Sequence, residues 1–445
     1  MSNFFVSPLK LRKYCRKVLS LRETAEDQKI IINTGWQVLE KISRLCCALI
    51  SSAMLARYLQ PESYGIYSYA LAFTSFFVAI SSLGTSQILV RDLVKESENR
   101  EEIISSVAVL RVFSGTLLAA IASCIAINLV EDRVTQLLVI IFSLQMIPRA
   151  SEVLECSFQS SMENRYTAYS RVLASSSAAA LTAAAILSQQ SIFVLAAIAV
   201  YEYLASLLFL LKFYARKGYT LSLSLVSSVR TKKIIAESWP LALSSCAIVV
   251  YMRVDQIMIA HLSDSKELGL YSAAVQITEA FYLVPMAFIS SSFPSIVEFR
   301  KESEHKFYAA LQNLYNKVSL ISYASILFTS FFSKQLLASL YGNSYIAASS
   351  TLSLLIWSVI FVALGVARST VIITMNWTHI HLKTVIIASL FNIALNYFLI
   401  PRYGAFGAAI STVASYCIAS NIACFFFRPL YRTGIMLTKA LLLIR

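Results

Sequence analysis

The sequence carries little charge for its length, and this excludes an ordinary soluble domain. Only 14% of its 445 residues are charged, whereas 57% are hydrophobic and the mean hydropathy is +0.67. A soluble domain carries about 25% charged residues. We therefore expect a chain that crosses a membrane many times.

Motifs of soluble enzymes are missing as well. The chain has no Walker A sequence, no glycine-rich dinucleotide loop and no nucleophile elbow. Its eight cysteines and four histidines form no CxxC or Cys/His cluster. We predict that the protein is not an enzyme and has no catalytic residue, metal or cofactor. Transport would then depend on a substrate gradient, on exchange, or on coupling to H⁺ or Na⁺.

Apolar stretches long enough to cross about 30 Å of hydrocarbon occur in two sets of six. The first set comprises 31–58, 64–90, 103–130, 134–160, 168–188 and 191–212. The second comprises 236–262, 268–295, 312–333, 345–374, 379–400 and 404–427. The predicted fold class is an all-α polytopic membrane protein with about 12 transmembrane helices.

A repeat relates the two sets. Residues 54–77 align without a gap to residues 258–281 at a constant offset of 204, with eight identities in 24 positions. Because each unit has an even number of spans, both enter the membrane in the same orientation. The repeat therefore predicts two parallel six-helix lobes around a central cavity. The shared Gly65 and Gly269 are expected to permit a bent backbone or close helix approach.

Basic residues accumulate on one side of the predicted bundle, which the positive-inside rule places in the cytoplasm together with both termini. This asymmetry accounts for most of the net charge of +14, so we do not expect nucleic-acid binding. The predicted divisions are a basic amphipathic segment at 1–30, suited to membrane lipids, an N-lobe at 31–215, a cytoplasmic linker at 216–235, a C-lobe at 236–427 and a cytoplasmic tail at 428–445.

Charged side chains inside spans indicate a polar interior, because each costs about 2.5–3.5 kcal/mol on insertion scales. Pro148 is expected to kink span 4 beside such a charge. The charges are Glu40 and Arg44 in span 1, Arg111 in span 3, Arg149, Glu152 and Glu155 in span 4, Glu202 in span 6, Arg253 and Asp255 in span 7, Glu279 in span 8 and Arg368 in span 10.

Two interpretations of these charges stay open. Neighbours could neutralise one another: Glu40 with Arg44, Arg149 with Glu152, and Arg253 with Asp255 or Glu279. Alternatively, arginines hold the phosphates of an anionic lipid headgroup, while carboxylates take up protons or bind Na⁺. The candidate substrate-binding residues are Arg149, Arg253, Arg111, Arg368 and Arg44. The candidates for ion coupling or pairing are Asp255, Glu279, Glu152 and Glu40. Lys41, Arg57 and Arg171 are expected to be interfacial anchors.

Six stretches, in this order and spacing, resemble the polysaccharide or O-antigen flippases of the multidrug/oligosaccharidyl-lipid/polysaccharide exporter superfamily. They are Asn33–Leu45, Leu55–Phe77, Ser81–Leu93, Arg253–Ala274, Phe331–Tyr345 and Asn396–Tyr416. The resemblance implies a transporter that flips undecaprenyl-diphosphate-linked oligosaccharides across the bacterial inner membrane for O-antigen, lipopolysaccharide or other surface polysaccharide biosynthesis, by alternating access. It also implies a cationic cavity, which Arg149, Arg253, Arg111 and Arg368 could line. Of these four, only Arg253, followed by Asp255, lies in a family-like stretch.

The partners implied are the lipid-linked glycan, membrane lipids, a polysaccharide polymerase and other glycan-assembly proteins. Two alternatives compete with this interpretation. A cation-coupled drug exporter of the same superfamily would need an acidic or aromatic cavity. A non-transporting scaffold for glycan assembly would depend on its basic loops more than on the charges within spans 1, 4 and 7.

Overall fold

The computed structural model describes residues 25–375 and 377–444, and all regular structure in these residues is helical. The predicted amphipathic segment at 1–30 lies outside the described residues except for its last six. The α-helices are α1 Ala25–Ser81, α2 Thr85–Lys95, α3 Arg100–Leu129, α4 Arg133–Ser143, α5 Glu152–Ser160, α6 Asn164–Leu187, α7 Ile192–Arg216, α8 Ser228–Leu262, α9 Ser265–Glu302, α10 Glu304–Leu340, α11 Ser349–Leu355, α12 Ser358–Thr374, α13 Thr378–Ser420 and α14 Tyr431–Leu441.

Nine helical runs of the described chain are long and apolar enough to span a membrane. Two of them contain two crossings each, because one residue breaks the helix: Gln60 in α1 and Gly404 in α13. A bent pair, Asn343–Leu355 with Ser358–Ile372, supplies one more crossing. The described chain thus makes twelve crossings in two lobes of six, and the predicted fold class is confirmed. We call the first six crossings the N-lobe and the last six the C-lobe.

The fourth crossing is not one continuous helix. Between α4 and α5 the chain forms 3₁₀ turns at Leu144–Met146 and Pro148–Ser151. Proline has no backbone N–H and its ring obstructs the preceding turn, so an α-helix cannot continue through it undisturbed. The break predicted at Pro148 is confirmed, and it places Arg149 on an irregular part of the crossing.

The two lobes meet backbone to backbone at the end of the bundle away from the linker, which we call the far end. A Cβ on Gly65 would lie 1.7 Å from the carbonyl oxygen of Ser265. A Cβ on Gly269 would lie 1.9 Å from that of Pro61. The repeat offset of 204 relates these two contacts, so the crossing is self-complementary, as in a two-fold interface. Glycine permits the close helix approach predicted here.

Other contacts reinforce the far end. The Arg57 guanidinium donates to the carbonyls of Ser339 and Leu340, at the C-terminus of α10. Cations are stabilised at this end of a helix by the exposed carbonyls. Arg57 therefore joins the lobes, and its role as an interfacial anchor stays a prediction. The Tyr345 hydroxyl also donates across the lobes, to the carbonyl of Ala56 at 3.0 Å.

The first turns of α8 pack on the N-lobe at the opposite end, which we call the linker end. Arg230 lies 2.8 Å from Glu96 and 3.1 Å from Glu102, and Arg91 lies 2.5 Å from Glu237. The hydrogen bond from Arg230 lowers the pKa of Glu96, which favours the ionised pair. The lobes therefore touch at both ends, with a space between.

The predicted C-terminal tail contains α14, which packs on the C-lobe. Its carbonyls at Met436 and Leu441 accept hydrogen bonds of 3.1 and 2.6 Å from Gln312 and Tyr323 of α10. Described residues of this segment thus form part of the folded bundle.

Replacing Gly65 should destabilise the folded protein. The Gly65→Ala side chain would overlap the Ser265 carbonyl, and overpacking of this kind costs about 1–3 kcal/mol. We expect a lower unfolding temperature for the detergent-purified protein. Gly35→Ala is the matched control, because a Cβ there meets nothing within 4 Å. Equal melting of both variants would contradict the close crossing.

Candidate functional site

A polar cavity of about 250 Å³ lies between the two lobes. Each lobe contributes one arginine to its wall, Arg149 from the N-lobe and Arg253 from α8 of the C-lobe. Its other polar lining residues are Tyr64, Ser68, Ser75, Gln145, Tyr203, Gln256, Ser272 and Gln276. The structure therefore brings together two of the five candidate arginines across the interface between the lobes.

Two further cavities adjoin the first. One, of about 320 Å³, extends to Arg111 and Glu152. The other, of about 390 Å³, is lined by Arg44, Arg171 and Glu202 inside the N-lobe. Arg149 lines all three cavities and so lies at their junction.

Arg149 is held by an aromatic side chain and forms no salt bridge within the described chain. Its Nη2 donates to the hydroxyl of Tyr203 at 2.5 Å, and its guanidinium carbon lies 4.3 Å from the ring centroid. Within the described chain, Nε has no hydrogen-bond partner and no acidic oxygen lies within 4.0 Å. A cation in a membrane interior is costly without compensation, so this position favours an anion.

Arg253 forms a salt bridge between two helices of the C-lobe. Its Nη2 lies 3.1 and 3.2 Å from the two carboxylate oxygens of Glu279 on α9. Of the two partners left open by the sequence, Glu279 is the one found. Asp255 is buried away from this pair: its carboxylate accepts from the hydroxyls of Tyr271 and Thr412.

Arg111 and Glu152 form an ion pair in the wall of the second cavity. Arg111 Nη1 lies 2.8 Å from Glu152, and its other nitrogens donate to the hydroxyls of Thr85 and Ser86. Its side chain is only 2% exposed. The predicted pair of Glu152 with Arg149 is wrong, because α3 brings Arg111 to Glu152 while Tyr203 of α7 holds Arg149.

Arg368 lies apart from the other candidate arginines, inside the C-lobe. Its Nη1 donates to the carbonyls of Ala419 and Ser420 at 2.8 and 3.3 Å, in the last turn of α13. The negative end of the helix thereby compensates its charge. It lines a separate, mostly apolar cavity of about 280 Å³.

The remaining charges of the N-lobe are mostly paired. Arg44 lies 3.3 Å from Glu40, and Arg171 lies 2.7 Å from Glu155. Arg171 is 8% exposed and buried within the lobe, so its prediction as an interfacial anchor is wrong. Glu202 is not among the site residues predicted from the sequence, although a single charge within span 6 is a sign of a polar interior. No group of His, Cys, Asp or Glu in the described chain could hold a metal ion.

Two family models match the chain. Residues 30–300 match the model described as Polysaccharide biosynthesis protein, and residues 240–398 match the model described as MatE. A probable flippase, AglR of Haloferax volcanii, is 27% identical over 46% of this chain and 44% of its own. The capsular polysaccharide biosynthesis protein CapF of Staphylococcus aureus is 23% identical over 49% of this chain and 56% of its own. The matches thus span about half the length of these relatives.

Solved structures share the fold. The lipid II flippase MurJ in an inward closed conformation superposes with a TM-score of 0.73 at 14% identity, covering 92% of this chain and 90% of its own. A MATE family multidrug transporter in an inward-facing conformation gives 0.62 at 16% identity, covering 92% and 95%. At these identities the likeness concerns the fold alone.

Removing Glu152 should destabilise the protein more than removing Arg149. Glu152→Ala leaves the buried Arg111 without its counter-ion, and breaking such a pair costs about 3–5 kcal/mol. Arg149→Ala breaks no ion pair. Thermal unfolding of the detergent-purified variants measures the difference, and the double variant Arg111→Ala/Glu152→Ala should recover part of the loss. If Glu152→Ala unfolded at the same temperature as the wild type, the structural role of this pair would be refuted.

Proposed function

The chain belongs to the polysaccharide biosynthesis protein family, and from this premise we propose that it is a flippase for a lipid-linked oligosaccharide. Its substrate is an undecaprenyl-diphosphate-linked repeat unit, moved across the bacterial inner membrane for O-antigen or other surface polysaccharide biosynthesis. The polymerase and other glycan-assembly proteins are its proposed partners. The protein performs no enzymatic step, and both termini face the cytoplasm, as the distribution of basic residues favours.

One observation carries the proposal: a guanidinium from each lobe lines the same polar cavity. Planar guanidinium groups bind phosphate oxygens through two parallel hydrogen bonds, which suits a diphosphate. The side cavities, rich in hydroxyl and charged groups, give the glycan polar partners. The prenyl tail stays in the lipid.

The two arginines differ in how readily they can bind a phosphate. Arg149 has no counter-ion to release, whereas Arg253 is held by Glu279. The headgroup therefore binds Arg149 first and reaches Arg253 by displacing Glu279. This exchange of contacts passes the headgroup from one lobe to the other.

Alternating access uses the contacts at the two ends of the bundle. The glycine crossing at the far end is a compact point about which the lobes rock. Opening the linker end breaks the pairs of Arg230 with Glu96 and Glu102 and of Arg91 with Glu237. These pairs are partly exposed, and exposed ion pairs contribute little to stability, so this end opens at modest cost.

A cation-coupled drug exporter is the second candidate, favoured by the match of residues 240–398 to the MatE model. The lining of the cavity counts against it, because the guanidinium groups of Arg149 and Arg253 repel a cationic drug. A resistance assay separates the two functions: expression in a drug-sensitive host should leave the inhibitory concentrations of cationic drugs unchanged.

Replacing either cavity arginine should reduce glycan export. Losing a charge-assisted contact of about 1.5–3 kcal/mol corresponds to a loss of roughly 10- to 100-fold in transport efficiency. Arg149→Ala and Arg253→Ala are compared for surface glycan at matched protein abundance. Arg432→Ala is the control, because this exposed arginine pairs with Glu304 at the linker end, away from the cavity. Unchanged export in both cavity variants would remove the phosphate-binding role.

A prenyl-diphosphate glycan should copurify with the wild-type protein. Extraction in mild detergent followed by mass spectrometry of the bound lipid tests this, with Arg149→Ala expected to retain less. Phospholipid alone in the wild-type sample would contradict the proposed substrate.

A further inference from the structure

Seven charged side chains of the described chain line the three polar cavities, and five of them belong to ion pairs. Arg111 and Glu152 pair with each other. The remaining three pair with carboxylates outside these cavities: Arg44 with Glu40, Arg171 with Glu155 and Arg253 with Glu279. The other two are Arg149 and Glu202. No basic nitrogen of the described chain lies within 4.0 Å of the Glu202 carboxylate. One cation and one carboxylate without a salt bridge thus lie in the same part of the molecule.

Their positions couple them. Both line the cavity of about 390 Å³ inside the N-lobe, and Glu202 directly precedes Tyr203, whose hydroxyl and ring hold Arg149. Glu202 is partly exposed to this cavity and lines a further one of about 230 Å³. The carboxylate is therefore accessible to small ions and protons.

The groups that face Glu202 come from four elements. Arg44 and Cys47 come from α1, Arg171 from α6, Arg149 from the 3₁₀ turn and Glu152 from α5. Tyr64 and Tyr67 face it across the smaller cavity. Three arginines line the cavity with it: Arg44 and Arg171 are already paired, and Arg149 is the one without a salt bridge.

We propose that Glu202 is a proton-binding site whose protonation is linked to anion binding at Arg149. An ionised Glu202 attracts Arg149 and repels an anion that enters the shared cavity. Protonation removes both effects. The proton passes from cavity water to a carboxylate oxygen of Glu202, and no other bond forms or breaks. The identity of the anion as a diphosphate headgroup rests on the proposed function, but the linkage itself does not.

Linkage is reciprocal, so an anion bound at Arg149 favours protonation of Glu202 by the same factor as protonation favours the anion. Anion affinity is therefore highest at low pH, where Glu202 is protonated. It falls as the pH rises through the titration range of Glu202, at most about tenfold per pH unit for one linked proton.

Titration calorimetry of the full chain in detergent tests this linkage. The probe is a farnesyl-diphosphate-linked N-acetylglucosamine, whose two phosphates do not titrate near neutral pH. Wild-type affinity should fall with rising pH, and measurements in two buffers of different ionisation heat should show uptake of up to one proton. Glu202→Gln should bind with the low-pH affinity at every pH and take up none. The amide is nearly isosteric, so the variant should fold.

Glu304→Gln is the control: it removes a carboxylate that is paired with Arg432 at the linker end, away from the cavity, and should keep the pH dependence. If Glu202→Gln kept the wild-type pH dependence, or if the wild type had none, the linkage would be overturned. Sulfate, an anion without prenyl or sugar, is titrated in parallel. If the sulfate affinity of the wild type depends on pH and that of Glu202→Gln does not, the linkage is supported even where the glycolipid fails to bind. Failure of the glycolipid to bind would overturn only the proposed function.

Discussion

The close crossing of two helix backbones at Gly65 and Gly269 is the constraint on which the rest of the structure depends. A Cβ at either position would lie within 2 Å of a carbonyl oxygen of the other lobe. From this point the same helix faces continue into the cavity. Ser68 and Ser272 follow the glycines by three residues, and both line it. Residues at i and i+3 share a face of a helix, so the contact that joins the lobes also orients the cavity walls.

The repeat makes this contact symmetric, but the chemistry of the cavity is not. Ser75 in the N-lobe corresponds to Glu279 in the C-lobe at the same offset, and only the C-lobe position can hold an arginine. The N-lobe instead holds its arginine with Tyr203, an aromatic group that contributes no charge. Two matching lobes therefore present one neutralised and one uncompensated guanidinium to the same space.

The fold could be predicted from the sequence because hydropathy, helix length and the repeat are properties of the chain itself. The glycine contact and the break at Pro148 followed from local chemistry in the same way. The charge pairs did not, since they depend on which crossings become neighbours. Glu152 pairs with Arg111 of another crossing, although Arg149 is three residues away. Arg368 is compensated by helix carbonyls, for which no sequence pattern exists.

An arginine with a salt bridge and one without differ in how they bind and release a ligand. Two unit charges about 4 Å apart interact by roughly 4 kcal/mol at the effective dielectric typical of protein sites. A headgroup at Arg253 gains this interaction only after Glu279 loses it, so the net gain is small and release is easy. At Arg149 the whole interaction is available to the ligand, and release there needs an opposing charge. Glu202 supplies that charge whenever it is ionised. A carboxylate without a salt bridge can therefore control binding at an arginine without one.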